Sequence, residues 1–200
     1  MFDIATDLPD DPFAAFAAWY SEAEKAPAAL PNAMTLASCS NGQPSARIVL
    51  LKGWDNKGFV FFTNYQSRKG EDIAANQRVA LLFYWDSLLR QVRVEGKAEK
   101  ISQQESRAYF VTRPRSSQIG AWASQQSRKL ASRATLDTRV RHYEEVFRHR
   151  EPELPDFWGG YLVRPLLMEF WHGEKARLHQ RRMFQRADLT AKWESNLLYP

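Results

Sequence analysis

Apolar residues first become periodic just after Asp11-Pro12, where Phe13, Phe16, Ala17 and Tyr20 recur at three- and four-residue spacing. That spacing predicts an amphipathic helix over "FAAFAAWYSEAEKA", with Asp11 as its cap and Pro12 in its first turn. Pro27 and Pro31 end the segment. The pattern then changes to strand-like runs: "AMTLASCS", "PSARIVLLKGW", "FVFFTN", "RVALLFYW" and "QVRVEGKAEKI". Asn41-Gly42 separates the first two and "DNKG" precedes the third, and both read as hairpin turns. "SRKGEDIAAN" predicts a short helix capped by Ser67. Ser102 and Glu105 have capping-box spacing and open a helix through about Arg113. "LDTRVRHYEEVFRHR" predicts another helix and "EPELPDFWGG" a loop. The chain closes on strand patterns in "YLVRPLLMEFWHG", "ARLHQRRMFQR" and "KWESNLLYP".

Strands joined mostly by hairpin turns, with several helices between them, predict an α+β protein. Its core is expected to be an antiparallel sheet or barrel with helices packed outside, and not a doubly wound fold. No repeat or linker divides the sequence, so one domain is expected over residues 1–200, with 1–10 as a flexible N-terminal segment. A hydrophobic content of 44% excludes a disordered chain. The net charge of +5 points to anionic partners, either phosphorylated small molecules or nucleic acid. The basic residues are dispersed, with no long Lys/Arg block, which weighs against nucleic acid. Cys39 is the single cysteine, so no intramolecular disulfide forms and a reducing cytoplasm is expected. "MFDIATDLPDDPF" lacks the features of a secretory signal, and no apolar run approaches the roughly 18 residues of a membrane span.

Several chemistries have no motif here: there is no G-x-G-x-x-G after a strand, no Walker loop and no H-E-x-x-H. His142 and His149, seven apart, read as one solvated helix face, and no metal is expected. What remains is a scattered basic set. Arg47 and Lys52 bracket "RIVLLK" on opposite faces of a regular strand, as two strand-end charges or as contacts to two anions. Arg68 and Lys69 follow Ser67 at a helix N-terminus, where the dipole favours an anion and opposes bare cations. Tyr109, Arg113, Arg115 and two serines surround a Pro break in "YFVTRPRSSQIGAW", as a phosphate cup or as basic residues at a helix C-terminus. Trp122, Trp158 and Trp171 read as core or ring-facing aromatics. Alternation in "ARLHQRRMFQR" puts Arg177, His179 and Arg181 on one strand face and Gln180 on the other. Such a face either has carboxylate partners elsewhere or meets an anionic ligand.

Taken in order, "RIVLLK", "FFTNYQSRKG", "RPRSSQIGAW", "SQQS", "FWGGY" and "EFWHGEKARLHQR" resemble the pyridoxine/pyridoxamine 5′-phosphate oxidase family, from about Leu8 to Pro200. The resemblance implies a Greek-key split β-barrel with flanking helices, forming a homodimer with FMN at the subunit interface. It implies oxidation of pyridoxamine or pyridoxine 5′-phosphate to pyridoxal 5′-phosphate, with O2 as acceptor and H2O2 released. Carried over by position, the FMN contacts are Arg47, Ile48, Val49, Leu50, Leu51, Lys52, Phe62, Thr63, Arg68, Lys69, Gln91, Gln126, Ser127, Trp171 and Arg181. The substrate contacts are Lys52, Tyr109, Arg113 and Ser117 at the phosphate, with Arg177, Leu178 and His179 at the pyridine end. Arg177 and His179 are the residues the resemblance makes catalytic.

The sequence departs from the family pattern at three places. The sequence starts too late to show the family's basic, tyrosine-containing N-terminal segment, Gln180 stands where an acid is usual, and "SNLLYP" lacks an Arg a few residues before the final Pro. These bear on substrate closure and identity more than on FMN. Two alternatives stand beside the main reading: a sister flavin oxidase of the phenazine-biosynthesis type, and a non-catalytic split-barrel protein that binds flavin or nucleic acid. Lys52, Tyr109, Arg113 and Ser117 favour the phosphorylated vitamin, and Arg177 with His179 favours turnover.

Overall fold

The computed structural model describes residues 2–27 and 30–200. Its first helix, α1 (Pro12–Lys25), starts where Asp11 accepts a hydrogen bond from the Ala14 amide at 2.8 Å. The buried stripe is Phe13, Ala15, Phe16, Trp19 and Ala23, so Trp19 takes the core place expected of Tyr20. The Phe16 ring packs edge-on against Phe59 and Phe83 of the sheet, and Trp19 against Phe170. These aromatics lock the helix to the sheet in preferred tilted geometry.

Strands β1 (Ala33–Ser40) and β2 (Gln43–Leu50) form the expected hairpin. Asn41 and Gly42 both have positive φ, as a type I′ turn requires. A second hairpin joins β3 (Gly53–Asp55) and β4 (Gly58–Asn64). Next come α2 (Arg68–Ala75), capped by Ser67, β5 (Arg78–Trp85) and β6 (Arg90–Lys100). The capping box of Ser102 and Glu105 opens α3 (Gln103–Phe110). Helices α4 (Arg115–Ala123) and α5 (Arg133–Val146) follow, then the long strand β7 (Trp158–His172), β8 (Gln180–Gln185) and β9 (Glu194–Leu198). The sheet is antiparallel throughout, in the order β2-β1-β5-β6-β7-β4-β3.

One edge of β7 is shared by two strands. Trp158–Val163 pair with β4, and Leu167–His172 pair with β8, which carries β9. The fork lies at Pro165, which has no N–H to offer a neighbour. Opposite it β6 changes register between Glu95 and Gly96. Arg186 satisfies the Pro165 carbonyl with Nε at 2.9 Å and Nη2 at 2.7 Å. The sheet therefore splits and stays open.

Four expectations need correction. "RPRSSQIGAW" is not a helix end followed by a break, because a second helix, α4, begins at Arg115. Helix α5 starts at Arg133 on a Ser132 cap and ends before His149, so His142 and His149 do not share it. "ARLHQRRMFQR" is not one strand: Lys175–Arg177 form a 3-10 turn, Ala176 and Arg177 have φ of 55° and 61°, and β8 begins only at Gln180. The expected flexible segment 1–10 is docked from Phe2 onward, with Ile4 and Leu8 each 3% exposed in the core; Met1 lies outside the described residues.

Candidate active site

A cavity of about 710 Å3 opens where β2 and β4, from opposite sides of the strand order, approach each other. The end of β2 contributes Ile48, Val49 and Leu50, and Lys52 follows just past it. Phe62, Thr63 and Asn64 come from β4, Lys69 from α2 and Tyr109 from α3. The far wall is Thr112, Arg113, Pro114, and then Ser117, Gly120 and Ala121 of α4 with Ser124 at its end. Gln126 and Trp158 complete it. Among the described residues no Asp or Glu lines this space, while three cations do.

Two of those cations lack a counter-ion. Lys69 is 9% exposed, and its Nζ reaches only neutral oxygens: Gln126 Oε1 at 3.2 Å, Thr63 Oγ1 at 3.3 Å and Ser67 Oγ at 3.3 Å. Burial lowers its pKa, and the Arg47 charge lowers it further. Arg113 lies over the Trp158 ring at 4.6 Å, with Nη1 buried and unpartnered. Burial lowers its pKa too, with slight opposition from Tyr109. A buried cation without a counter-ion destabilises the folded chain, and an anion in the cavity would relieve that cost for both groups. Phe62, Tyr109 and Trp158 stack beside them, with Phe62–Tyr109 centroids 3.9 Å apart and the planes of Tyr109 and Trp158 within 6°. The cavity thus offers flat apolar walls and cationic ends, which suits a planar ring bearing an anionic group.

Arg47 points away behind this wall. Its guanidinium bonds Ser38 Oγ and Ser45 Oγ at 2.7 Å each and meets Asp72 Oδ2 at 3.4 Å. Leu51 is buried in the core. Arg68, Gln126 and Ser127 are exposed, and only Gln126 of these lines the cavity.

The remaining candidates form a second patch at the far end of β7. Gln91 pairs with Trp171, which pairs in turn with Arg181. The His179 ring lies 4.6 Å from that of Trp171. Its Nδ1 accepts from the Glu174 N–H at 3.1 Å, which leaves the proton of the neutral ring on Nε2. Arg181 is held on Glu169, with Nε and Nη2 both 2.8 Å from Oε1, and its Nη1 donates to the Tyr199 carbonyl at 2.8 Å. Glu169 is 3% exposed and also binds Arg93. Burial raises its pKa, but the hydrogen bonds and charges of Arg93 and Arg181 win, and the net shift is downward. Arg177 and Leu178 are exposed on the loop between β7 and β8.

Sequence reading missed the lining role of Asn64, Thr112 and Ser124, and left Trp158 open between core and ring-facing. Ser117, Gly120, Ala121 and Ser124 sit three, four and seven apart, a stripe of small residues on one helix face that leaves space beside it. That spacing was visible in the sequence once α4 was known to be helical.

Residues 21–147 match the family profile described as pyridoxamine 5′-phosphate oxidase. Residues 158–200 match the pyridoxine 5′-phosphate oxidase C-terminal dimerisation region. The chain belongs to the pyridoxamine 5′-phosphate oxidase family. A pyridoxine/pyridoxamine 5′-phosphate oxidase of Cupriavidus necator is 55% identical over 181 residues, covering 90% of this chain and 85% of that one. One from Rubrobacter xylanophilus is 55% identical over 177 residues, covering 88% and 82%. Among solved structures, PhzG from Burkholderia lata, in complex with tetrahydrophenazine-1-carboxylic acid, is 27% identical with a TM-score of 0.92, covering 100% of this chain and 98% of that chain. A pyridoxamine 5′-phosphate oxidase-related, FMN-binding protein from Nostoc punctiforme shares the fold at a TM-score of 0.72 and 15% identity, covering 96% and 100%. Family membership makes this chain an oxidoreductase of the pyridoxine/pyridoxamine 5′-phosphate oxidase type, with a fold used by flavin-binding proteins. The cavity is built almost wholly by the first matched region, and the second patch mainly by the dimerisation region.

Proposed function

We propose that this protein oxidises pyridoxamine 5′-phosphate or pyridoxine 5′-phosphate to pyridoxal 5′-phosphate, using FMN. The observation that carries the reading is Arg113, a half-buried guanidinium whose buried Nη1 has no partner, on the wall of a cavity that no described Asp or Glu lines, beside Lys52, Tyr109 and Ser117. Charged hydrogen bonds from such groups to a phosphate contribute roughly 1.5–3 kcal/mol each.

The residues present also fit a second anionic, planar group. Lys69 with Gln126 and Thr63 would hold the FMN phosphate side, with Arg47, Arg68 and Ser127 behind them. Ile48 through Lys52 and Phe62 would wall its ring. When bound, FMN supplies two-electron redox chemistry, with O2 as final acceptor and H2O2 as product. The chain's own residues bind, orient and exclude water. Lys52, Tyr109, Arg113 and Ser117 would fix the substrate phosphate. Arg177 and His179 would orient the pyridine end, His179 as a donor through Nε2, with Leu178 beside them.

Within one chain these groups do not meet. Gly160, opposite Phe62, and Trp171 are eleven residues apart on β7, a span of about 30–36 Å at strand rise. A single ligand of this size cannot bridge that distance. A second copy can bring its Gln91, Trp171, Arg177, His179 and Arg181 to this cavity, so the complete site belongs to a homodimer with FMN between subunits. Both halves would then work twice, once at each of two symmetric sites.

The likeness to PhzG favours a second reading, oxidation of another reduced ring. A phosphate cup serves no purpose for a substrate without a phosphate. The test is anaerobic mixing of the FMN-loaded protein with pyridoxamine 5′-phosphate while absorbance is followed. Bleaching of the flavin, and an increase in KM of about tenfold or more on Arg113→Met, are expected. No bleaching, or equal bleaching by the unphosphorylated amine, overturns the phosphate reading.

A further inference from the structure

Strand β8 has two faces with different tasks. Arg181 looks toward Glu169, whereas Gln180 and Arg182 look toward the N-terminal segment. Arg182 is buried and donates to the Leu8 carbonyl at 2.9 Å and to Asp10 Oδ1 at 2.5 Å. Gln180 acts two residues earlier on the same face. Its Oε1 accepts from the Ile4 amide at 2.7 Å. Its Nε2 donates to the Phe2 carbonyl at 3.0 Å and to Glu174 Oε1 at 3.0 Å. Both amide hydrogens and the carbonyl oxygen are in use, and the two backbone partners fix which end of the amide is which.

Each partner matters. Ile4 is buried in the core, and Phe2 stacks on His172 with centroids 4.8 Å apart. Glu174 opens the loop between β7 and β8, and its N–H holds His179 Nδ1. That loop carries two successive non-glycine residues with positive φ, Ala176 and Arg177, a conformation that surrounding contacts must maintain. Its other ties are Gly173 N–H to the Leu89 carbonyl at 2.8 Å, Leu178 N–H to the Lys175 carbonyl at 3.2 Å, and Glu174 Oε1 lying 3.5 Å from His172 Nδ1. One side chain therefore spans the N-terminal segment, the root of the loop and the start of β8.

We propose that Gln180 is a positioning residue, tying the docked N-terminal segment to the loop that presents Arg177 and His179. The functional half of this inference rests on the proposed oxidase reading; the tether itself does not. A neutral amide is required. A carboxylate in its place could still accept from Ile4, but it would face the Phe2 carbonyl and the Glu174 carboxylate with nothing to donate.

The experiment compares the FMN-loaded wild type with Gln180→Glu, Gln180→Met and the double variant Glu174→Gln/Gln180→Glu. In the double variant the amide introduced at position 174 can donate to the carboxylate introduced at position 180, restoring the arm of the link to the loop in reverse while the Phe2 carbonyl stays without its donor. Amide hydrogen exchange over residues 2–8 should accelerate about tenfold or more in Gln180→Glu and Gln180→Met. kcat/KM for pyridoxamine 5′-phosphate should fall about three- to tenfold in both, at unchanged FMN occupancy. The double variant should recover part of the kcat/KM lost in Gln180→Glu while exchange over residues 2–8 stays fast, because only the arm to the loop is restored. Gln180→Met, of similar length and uncharged, keeps the test open if the glutamate variant folds poorly. Unchanged exchange in Gln180→Met, or a double variant as impaired as Gln180→Glu, overturns the tether. A wild type inert toward pyridoxamine 5′-phosphate but showing the predicted exchange pattern overturns the oxidase reading and leaves the tether standing.

Discussion

Lys69 concentrates the argument for an anion site. It is buried against neutral oxygens, and the nearby Arg47 adds repulsion. Its folded pKa is lowered, so carrying the charge costs the folded state more than the unfolded chain. Lys69→Met should therefore act in opposite directions on two properties. Stability of the flavin-free protein should hold or rise, by on the order of 1 kcal/mol, in urea denaturation. FMN affinity should fall by about 10- to 100-fold in fluorescence titration. A flavin-free protein strongly weakened by the change, with FMN affinity intact, would make Lys69 a structural residue. Sequence marked Lys69 as a cation at a helix start. It could not reveal that no carboxylate comes within reach, because Thr63 and Gln126 arrive from other parts of the chain.

The register shift between β6 and β7, where Leu166 is the extra residue opposite Glu95 and Gly96, marks where the long strand changes partner. A Cβ on Gly96 would stand 2.1 Å from the Arg164 carbonyl oxygen and 2.8 Å from its carbon, both backbone atoms that cannot rotate aside. Gly96→Ala should cost about 1–3 kcal/mol, measured as a lower midpoint in urea at unchanged slope. Flavin occupancy should fall with it, since the fork at Pro165 sets β4, on the cavity, apart from β8, on the second patch. If stability is unaffected, the strands must separate more freely than the packing indicates. The sequence "VEGKAEK" shows the glycine but not its register, which depends on a strand some 70 residues later.

On the proposed reading, the separation of the two patches along β7 makes assembly the condition for a complete site. Dilution should lower dimer fraction and flavin occupancy together, in light scattering and absorbance on the same samples. A monomer that keeps full FMN would contradict the shared site. The surface expected to meet a partner includes Ile48, 63% exposed, and Leu197, 61% exposed. Acid should loosen the fold from the opposite end of the sheet. Burial lowers the pKa of His172, Glu174 raises it and Arg90 lowers it, leaving the net shift down. The unfolded chain then binds a proton near pH 6.5 that the folded chain refuses, so stability is full above that value and declines as pH falls below it. His172→Gln should flatten the stability profile between about pH 7 and 5. An unchanged slope would assign the decline to other groups.

Much of this protein is written locally. Asp11, Ser67 and the Ser102–Glu105 pair cap their helices, and Asn41-Gly42 turns its hairpin, because each acts on backbone groups within four residues. The ordered motifs were also enough for the family, and so for the fold class. Alternation failed in "ARLHQRR", where Ala176, Arg177 and Leu178 are exposed and no buried face exists for the period to report. There the backbone follows its ties to Leu89, Glu174 and Gln180 instead. Helix α4 was hidden by Pro114, which reads as a break but stands as the helix's first cap. The grouping of eleven predicted residues in one cavity, the stranding of Arg177 and His179 far from it, and the docking of Ile4 on a side chain 176 positions away all rest on long-range pairing. Such pairing is set by which buried surfaces fit together across the whole chain, and no window of neighbouring residues contains it.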